Sequence, residues 1–468
     1  MTSLTSLTED LVLGRSSAAG EPDWLRDRRL SAYKTYVDQR WPDRKLDEYW
    51  RNTAFGRLVD VELPLATAGD DAALDLPVSL VEFIDGPIAS VTIVDGDVVD
   101  LRVDDALADL GIVVAPLATA ARDHADLVRE HLGSLTTTGT STGADEDRTI
   151  SVNDAAWDAG VFVHVPAEVE APGPIGIHLH VTRPGAHLPR ILIVLDHHAR
   201  AVVELQHSSG DLSGFPAATD AKTPALVDEV VEAIVGDAAH LDFVTLDEHG
   251  EDVTFLALQK ASVQRDATVR HMSVNIGGRT TRLRPEFDLV GPGSACYPSG
   301  IYFADEGQHF DVQPYIRHIA PRATSDVLYK GALQGNSRTV FRGNVLVEKD
   351  AVGTNTNETN RNLILTDGAR ADSTPFLEIF CSDIVASHGS ATGQINAGQL
   401  FYLEARGIPR EQALRLIVLG FFREVLESFG IQRLEDRAMA HLEREIESTD
   451  LARIATTAAT PLASDDLI

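Results

Sequence analysis

The spacing of apolar residues changes twice along the chain, and each change predicts a change of secondary structure. In residues 1 to about 60, apolar positions recur every three or four residues, as at Leu30, Tyr33 and Val37, which predicts helices. From about residue 161 to 384, short β-prone runs follow one another and many alternate with period two, which predicts strands. Helical spacing returns near the C-terminal end.

The long β-prone region restricts the fold class. Its short strands extend over about 220 residues, and the spacing predicts only one helix within them, over residues 223–235. A doubly wound α/β sheet is excluded because crossover helices are missing. A sandwich, a barrel and a β-solenoid all stay open, because no strict hexapeptide repeat is visible. The Asn-rich run over residues 355–362 fits a solenoid turn and an ordinary polar loop about equally.

The C-terminal region predicts three helices. Gly407 is the expected stop of the first helix, and Pro409 opens the second at a first-turn position. The third helix is predicted over residues 433–448. The second helix is apolar on two sides, so neighbouring helices or a partner must bury both. These two sides consist of Leu414, Ile417, Phe421 and Val425, and of Leu416 and Leu419.

These changes of pattern divide the chain into three regions. Residues 134–147 are rich in Thr, Ser and Gly without periodicity, which predicts a loop at the first boundary. We therefore expect a mixed, partly helical region over residues 1–150, a β-rich core over residues 151–390 and a helical region over residues 391–468.

Charge and cysteine content exclude several classes of function. Acidic residues number 71 against 40 basic ones, a formal net charge of −31, which argues against binding to nucleic acid or to an anionic membrane. The two cysteines, Cys296 and Cys381, are too few for a disulfide framework and fit a reducing compartment. No signal peptide is recognisable and the apolar runs are too short to span a bilayer, so a cytoplasmic location is expected.

Catalytic motifs are missing from the sequence. It contains no Gly-x-x-x-x-Gly-Lys-[Ser/Thr] loop, no Gly-x-Ser-x-Gly elbow and no His-Glu-x-x-His. We therefore predict no catalytic residues and expect a binding or scaffold protein that is not an enzyme. His178 and His180 lie two apart on one strand and could share a metal with His197, His198 or His207, but ordinary strand histidines are favoured.

A compact group of metal-ligand side chains lies where the strands end. Glu378, Cys381, Asp383 and His388 offer the carboxylate, thiolate and imidazole groups that iron or zinc accepts. The alternative is a buried structural cysteine and a histidine that caps a turn.

Several stretches of the sequence resemble the SufB/SufD family, the scaffold subunits of the SUF iron–sulfur cluster assembly machinery. They run over residues 309–318, 329–343, 375–389 and 399–408, and the stretch over residues 48–53 is also similar. The residues that form the core of the shared motifs are His309, Asp311, His318, Tyr329, Lys330, Gly331 and Gly389. The pair His388-Gly389 resembles the SufD branch and not the SufB branch.

The resemblance implies a right-handed parallel β-helix with helical domains at both ends. It implies pairing with SufB, docking of the ATPase SufC on the C-terminal helices, and no tightly bound cofactor. Iron or a nascent cluster would be held transiently, together with SufB, near His388, with Glu378 and Cys381 as further candidates. A SufB-type scaffold and, less in keeping with the sequence, a β-helix enzyme acting on polysaccharides are the alternatives. The candidates for ATPase docking are Leu400, Phe401, Tyr402, Leu403, Arg406, Leu416, Leu419 and Phe421.

One departure from the family concerns a thiol. Many SufD chains have a cysteine two residues before this histidine, where the present chain has Ala386. Cys381 lies five positions before Ala386, and an odd offset places two residues on opposite faces of a regular strand. His388 therefore remains the main candidate. We also expect the isolated chain to form a homodimer through an open strand edge near Cys381.

Overall fold

The computed structural model describes residues 3–66, 86–136, 147–217, 222–448 and 456–457. The N-terminal region combines short helices with three strands. Two 3₁₀ turns lie at Leu4–Ser6 and Glu48–Trp50. The other elements are α1 Glu9–Ala18, α2 Asp23–Asp38, α3 Phe55–Leu58, β1 Ala89–Val94, β2 Asp97–Val103, α4 Asp105–Asp109, β3 Val113–Pro116, α5 Leu117–Asp123, α6 Ala125–His131 and α7 Arg148–Ala156.

A long run of strands follows, and three helices come after most of it. The strands are β4 Gly160–Val165, β5 Ile175–Val181, β6 Gly185–His187, β7 Arg190–Leu195, β8 Arg200–Ser209, β9 Ala225–Val235, β10 His240–Glu248, β11 Val253–Val263, β12 Thr268–Asn275, β13 Thr280–Leu289, β14 Ala295–Ala304, β15 His309–Val312, β16 Tyr315–His318, β17 Thr324–Leu333, β18 Arg338–Phe341, β19 Asn344–Val347, β20 Thr354–Ile364, β21 Arg370–Ser373, β22 Phe376–Ile379, β23 Ile384–Asn396 and β24 Thr456–Thr457. The helices are α8 Ala397–Ala405, α9 Arg410–Phe429 and α10 Gln432–Ser448.

The strands wind into a β-solenoid of about eight turns. One sheet has the order β2-β1-β5-β8-β10-β12-β14-β17-β20-β23-β24, and the facing sheet runs from β21 through β18, β15, β13, β11, β9 and β7 to β4 and β3. Successive coils pair in parallel; the antiparallel pairs among the described strands are β1–β2 and β3–β4. The parallel β-helix with helices at both ends, predicted from the family resemblance, is therefore confirmed.

The interior of the solenoid is an apolar column. On β8, β9 and β11 the odd-numbered residues point inward, and Val203, Val231 and Ala261 belong to the same buried cluster. The N-terminal helices cover the outer face of the second sheet, where Trp50, Leu192 and others form another buried cluster. Both faces of β9 and β11 are thus buried, as is usual for parallel sheets.

Two sequence predictions inside the solenoid were wrong. Residues 223–235 were expected to be a helix, but residues 225–235 form β9, which pairs in parallel with β11 over its whole length. A strand that is buried on both faces carries apolar residues on both, so its pattern loses period two and resembles a buried helix. The Asn-rich run is neither a turn nor a loop, because it lies within β20.

The predicted region boundaries stay predictions. The solenoid strands run from Gly160 to Asn396, and β1 from the N-terminal region pairs with β5. Most of the loop predicted over residues 134–147 lies outside the described residues. In the part of the chain that the structure describes, no helix is both long enough and apolar enough to cross a membrane.

Candidate functional site

The last coil of the solenoid, formed by β21, β22 and β23, leaves one end of the β-helix open. β23 pairs with β20 over residues 384–394, and on its other side the described residues pair with it only at Ile395 and Asn396, through β24. Most of the outer edge of β23 therefore offers unpaired backbone groups, which favour association with another chain. We call this surface the open end and define it by residues 376–394.

His388 lies at the open end, and its side chain is on the inward face of the first sheet. Register pairs its position with Glu358 on β20, and paired residues of parallel strands point to the same face of the sheet. Glu358 and its inward neighbours Thr356 and Asn360 are buried, whereas His388 is exposed because no further coil covers it. The His388 imidazole is thus an exposed group at the open end.

Large apolar side chains are exposed around the same end. Val385 is 68% exposed, Phe380 is 64% exposed, and Ile379 is also exposed. Contiguous exposed apolar residues at an unpaired strand edge are typical of a protein–protein contact.

Glu378 does not lie beside His388. Its register partner on β19 is Leu346, whose neighbours Val345 and Val347 point into the apolar column. Glu378 therefore points to the outside of the second sheet, while His388 points to the inside of the first. The expected proximity of the two side chains was wrong because β22 begins with an outward-facing residue, which the sequence does not reveal.

Cys381 occupies the turn between β22 and β23, where it is partly buried against the apolar column. The argument from an odd offset assumed one continuous strand, but β22 ends at Ile379 and β23 begins at Ile384. That argument was therefore wrong, and Cys381 lies on the interior side. Asp383 is exposed in the same turn. Among the described residues, no three His, Cys, Asp or Glu side chains are grouped as a metal site.

A row of hydrogen bonds leads from the open end into the interior. Exposed Ser390 donates to Ser373 Oγ (2.7 Å), and Ser373 donates to Asn360 Oδ1 (2.7 Å). Asn362 also donates to Asn360 Oδ1 (2.7 Å), and buried Tyr302 donates to Asn362 Oδ1 (2.6 Å). Sequence analysis missed this row, because the inward positions of a solenoid are identifiable only once the register is known.

Two of the motif stretches contact each other across the molecule. Thr53 Oγ1 lies 2.9 Å from His309 Nε2 and donates to Asp311 Oδ2. Gln313 Nε2 donates to the carbonyl oxygen of Tyr49 (2.8 Å). Burial lowers the pKa of His309 to about 4, so the imidazole is neutral at physiological pH. His309 and Asp311 thus fasten the N-terminal stretch over residues 48–53 to the solenoid.

The other motif residues shape the solenoid and its helices. His318 is buried inside, where Nε2 lies 2.9 Å from Ser325 Oγ, and burial lowers its pKa to about 4. Gly331 is needed for close packing, since a Cβ there would lie 1.9 Å from Tyr302 Cε2. Tyr329 is also buried in the apolar column, and burial raises its pKa. Lys330 points outward to α9. Gly389 faces open space.

Only some of the residues predicted to dock an ATPase are exposed. Phe401 is 70% exposed, and Tyr402 and Leu416 are also exposed. Tyr402 and Leu416 line a cavity of 510 Å³ between α8, α9 and the end of β23. Arg406 is exposed and donates to the Tyr402 hydroxyl (2.7 Å). The remaining candidates face the apolar cluster that α8–α10 form with the first sheet: Leu400 and Leu419 are buried there, and Leu403 and Phe421 are partly buried.

The histidine-rich region does not assemble a metal site. His178 and His180 point outward and share Ser208 Oγ, at 2.7 and 2.8 Å. His207 points inward instead, with Nε2 2.6 Å from Glu229 Oε2. Burial lowers the pKa of His178 to about 3 and that of His180 to about 4. The imidazoles of His178 and His180 are therefore neutral at physiological pH.

Comparison with known proteins identifies the class. Residues 179–421 match the family model described as the SufBD core domain of SUF-system FeS cluster assembly. A SufBD family protein of Mycobacterium bovis, named for iron–sulfur cluster assembly, is 37% identical over 319 residues, covering 66% of this chain and 76% of the relative.

Two further relatives extend over nearly the whole chain. A SufBD family protein of Staphylococcus epidermidis is 26% identical over 426 residues, 89% of this chain and 88% of the relative. The iron–sulfur cluster assembly protein SufD of Bacillus subtilis is 24% identical over 445 residues, 94% of this chain and 98% of the relative. The chain therefore belongs to the SufB/SufD family of the SUF iron–sulfur cluster assembly system, and within that family it is SufD-like.

Proposed function

We propose that this chain is a non-catalytic scaffold subunit of a cytoplasmic SUF complex. It pairs with a SufB-like chain through the open end of the solenoid and docks a SufC-like ATPase on its C-terminal helices. Iron or a nascent iron–sulfur cluster is the cargo of this complex and is held at the junction with the SufB-like chain. No tightly bound cofactor of this chain is required.

The observation that carries the proposal is the position of His388. An exposed imidazole at the end of a buried column, at the same open end as exposed Val385 and Phe380, supports a site that is completed by another chain. Imidazole is a common ligand of iron and also exchanges protons near neutral pH. The described residues group no three candidate ligands. We therefore infer that the SufB-like chain contributes the rest of the coordination.

The second surface supports ATPase docking. Phe401, Tyr402 and Leu416 are exposed on α8 and α9, the helices that an apolar cluster attaches to the first sheet. Large apolar and aromatic side chains are the residue types that anchor interfaces. The two surfaces belong to different elements, so one chain can bind both partners at once.

Co-expression with the SufB-like and SufC-like chains tests this assignment. Size-exclusion chromatography with light scattering should give a complex of all three chains. Val385→Arg should remove the SufB-like chain and retain the ATPase, and Leu416→Arg should do the reverse. The control is Leu46→Arg, which places the same charge at another exposed leucine, in the N-terminal region. Loss of neither partner, or of both from each variant, would contradict the assignment. A cluster that assembles on the isolated chain would indicate a SufB-type scaffold instead.

A further inference from the structure

Glu358 is a buried carboxyl group without a partner. It lies on β20, points into the solenoid and is 0% exposed. In the part of the chain that the structure describes, neither of its two carboxyl oxygens has a hydrogen-bond partner. Burial raises the pKa of this carboxyl to about 8. Because an unsatisfied buried polar group is costly, most native structures contain few, and each calls for an explanation.

The neighbours of Glu358 on the same face do have partners. Thr356 Oγ1 lies 2.7 Å from Ser325 Oγ, and Asn360 Nδ2 donates to the Tyr302 hydroxyl at 3.0 Å. The polar interior of β20 is therefore satisfied on either side of Glu358 and unsatisfied at Glu358 itself. A role in holding the interior together does not account for this residue.

The fold also leaves room for the carboxyl group. Gly343 lies in the bend between β18 and β19, and a Cβ at that position would come within 1.3 Å of Glu358 Oε1. Any other residue at position 343 would displace the carboxyl. The space for Glu358 thus depends on a glycine in the opposite wall, which belongs to one of the stretches shared with the SufB/SufD family.

Register places Glu358 directly behind His388. The two residues are paired between β20 and β23, and adjacent strands are about 4.8 Å apart. Both side chains point to the same face of the sheet. Glu358 is covered by the last coil, whereas His388 is exposed on it. A carboxyl group and an imidazole are therefore stacked along the axis of the solenoid at its open end.

We propose that Glu358 is a second ligand, behind His388, for ferrous iron delivered to the open end. This proposal rests on the proposed function, in which His388 binds iron at the junction with a SufB-like chain. Carboxylate oxygen together with imidazole nitrogen is a donor set that suits Fe²⁺. On binding Fe²⁺ the Glu358 carboxyl group releases its proton to solvent. Rotation about its side-chain torsions directs the resulting carboxylate toward His388, and the bound cation is its charge partner. The remaining ligands come from the SufB-like chain.

Anaerobic titration of Fe²⁺ into the co-purified complex with the SufB-like chain tests the proposal. The dissociation constant is measured by competition with a ferrous chelator. Glu358→Gln and His388→Ala should each weaken Fe²⁺ binding about tenfold or more. The matched control is Glu251→Gln, which removes an exposed carboxylate outside the open end, in the turn between β10 and β11, and should leave the dissociation constant unchanged.

Size-exclusion chromatography checks that each variant complex is intact. The Fe²⁺ affinities of the intact complexes then separate this proposal from the proposed function. If His388→Ala weakens Fe²⁺ binding and Glu358→Gln does not, Glu358 is not a ligand, while the proposed function stands. If the wild-type complex binds no Fe²⁺, or if Glu251→Gln weakens binding as much as Glu358→Gln, the proposal is also overturned.

The melting temperature of the full chain distinguishes a ligand from a structural residue. Loss of a structural residue would lower the melting temperature, whereas loss of a ligand should not. Because Glu358 has no partner to lose, Glu358→Gln and the apolar variant Glu358→Met should keep or raise the melting temperature while they weaken Fe²⁺ binding. A fall of several degrees in both variants, with Fe²⁺ affinity unchanged, would show that Glu358 has a structural role only.

Discussion

Lys330 fastens the C-terminal helices to the solenoid, and its replacement by methionine should loosen them. The side chain points outward from β17 and is 4% exposed. Its Nζ donates to the carbonyl oxygen of Phe421 (2.7 Å) and to Glu424 Oε2 (2.5 Å), and it lies 4.9 Å from the centre of the Phe421 ring. Lys330→Met removes these interactions and keeps most of the aliphatic stem.

The expected loss follows from the exposure of each partner. A hydrogen bond from a charged donor contributes about 1.5–3 kcal/mol. Glu424 is 57% exposed, so its ion pair with Lys330 is screened by solvent and contributes at most about 1 kcal/mol. The contact with the Phe421 ring contributes about 0.5–1 kcal/mol. Methionine avoids the cost of burying an ammonium group, which offsets part of the loss. We expect a net loss of about 2 kcal/mol.

Hydrogen exchange measured by mass spectrometry reports this loss locally. A destabilisation of about 2 kcal/mol should speed exchange in peptides of α9 roughly 30-fold, because every 1.4 kcal/mol is a factor of ten. Peptides from β9 and β11, inside the solenoid, should be unaffected. A single melting temperature is less informative, because regions of a chain this long can open separately.

Arg361→Met is the matched control. Arg361 approaches the same carboxylate, with Nη1 3.9 Å from Glu424 Oε2, but it is 53% exposed. Exchange in α9 should therefore change no more than about twofold. Unchanged α9 exchange in Lys330→Met, or equal acceleration in both variants, would refute the role of Lys330.

Three further predictions concern other parts of the chain. The isolated chain should be a dimer by light scattering at tens of micromolar, and Val385→Arg should make it monomeric; a monomeric wild type would contradict pairing through the open end. Cys381→Ser should leave iron incorporation nearly unchanged, because Cys381 is partly buried beside the apolar column; a complete loss of iron would assign it a ligand role. Burial lowers the pKa of His271 to about 3, so its neutral form stabilises the fold above pH 6.5 and this stabilisation is lost as the pH falls from 6.5 toward 3. Between pH 7.5 and 5, His271→Gln should lose about 2 kcal/mol less stability than wild type in urea unfolding; an equal loss would contradict a buried neutral imidazole.

Period-two alternation predicted most strands of the solenoid correctly but not their arrangement. Alternation is a local property, whereas parallel pairing between coils joins residues about thirty positions apart, as Thr359 pairs with Gly389. The parallel β-helix was therefore predicted from the family resemblance and not from the alternation. β9 was misread because its buried outer face carries Leu226 and Val230, which remove the alternation.

The site could be predicted only in part for similar reasons. His388 was identified from a motif, and its exposure at the open end fits an interface residue. Glu378 and Cys381 are close to His388 in sequence, but Glu378 lies on β22 and Cys381 in the turn before β23, so their faces could not be deduced from spacing. Glu358 has no motif that marks it. The case for Glu358 depends on the register of β20 and β23, on the close approach of Gly343 to its carboxyl group, and on the lack of a hydrogen-bond partner. None of these three facts is visible in one sequence.

The most direct test of the central claim is the iron content of the complex that contains His388→Ala. The variant is co-purified with the SufB-like and SufC-like chains, reconstituted anaerobically, and assayed for iron and sulfide per complex. Because His388 is exposed, the melting temperature of the chain and the mass of the complex should stay within error of wild type. Iron and sulfide should fall severalfold. Normal iron content, or a loss of iron that accompanies a large fall in melting temperature, would contradict a role for His388 in cluster assembly.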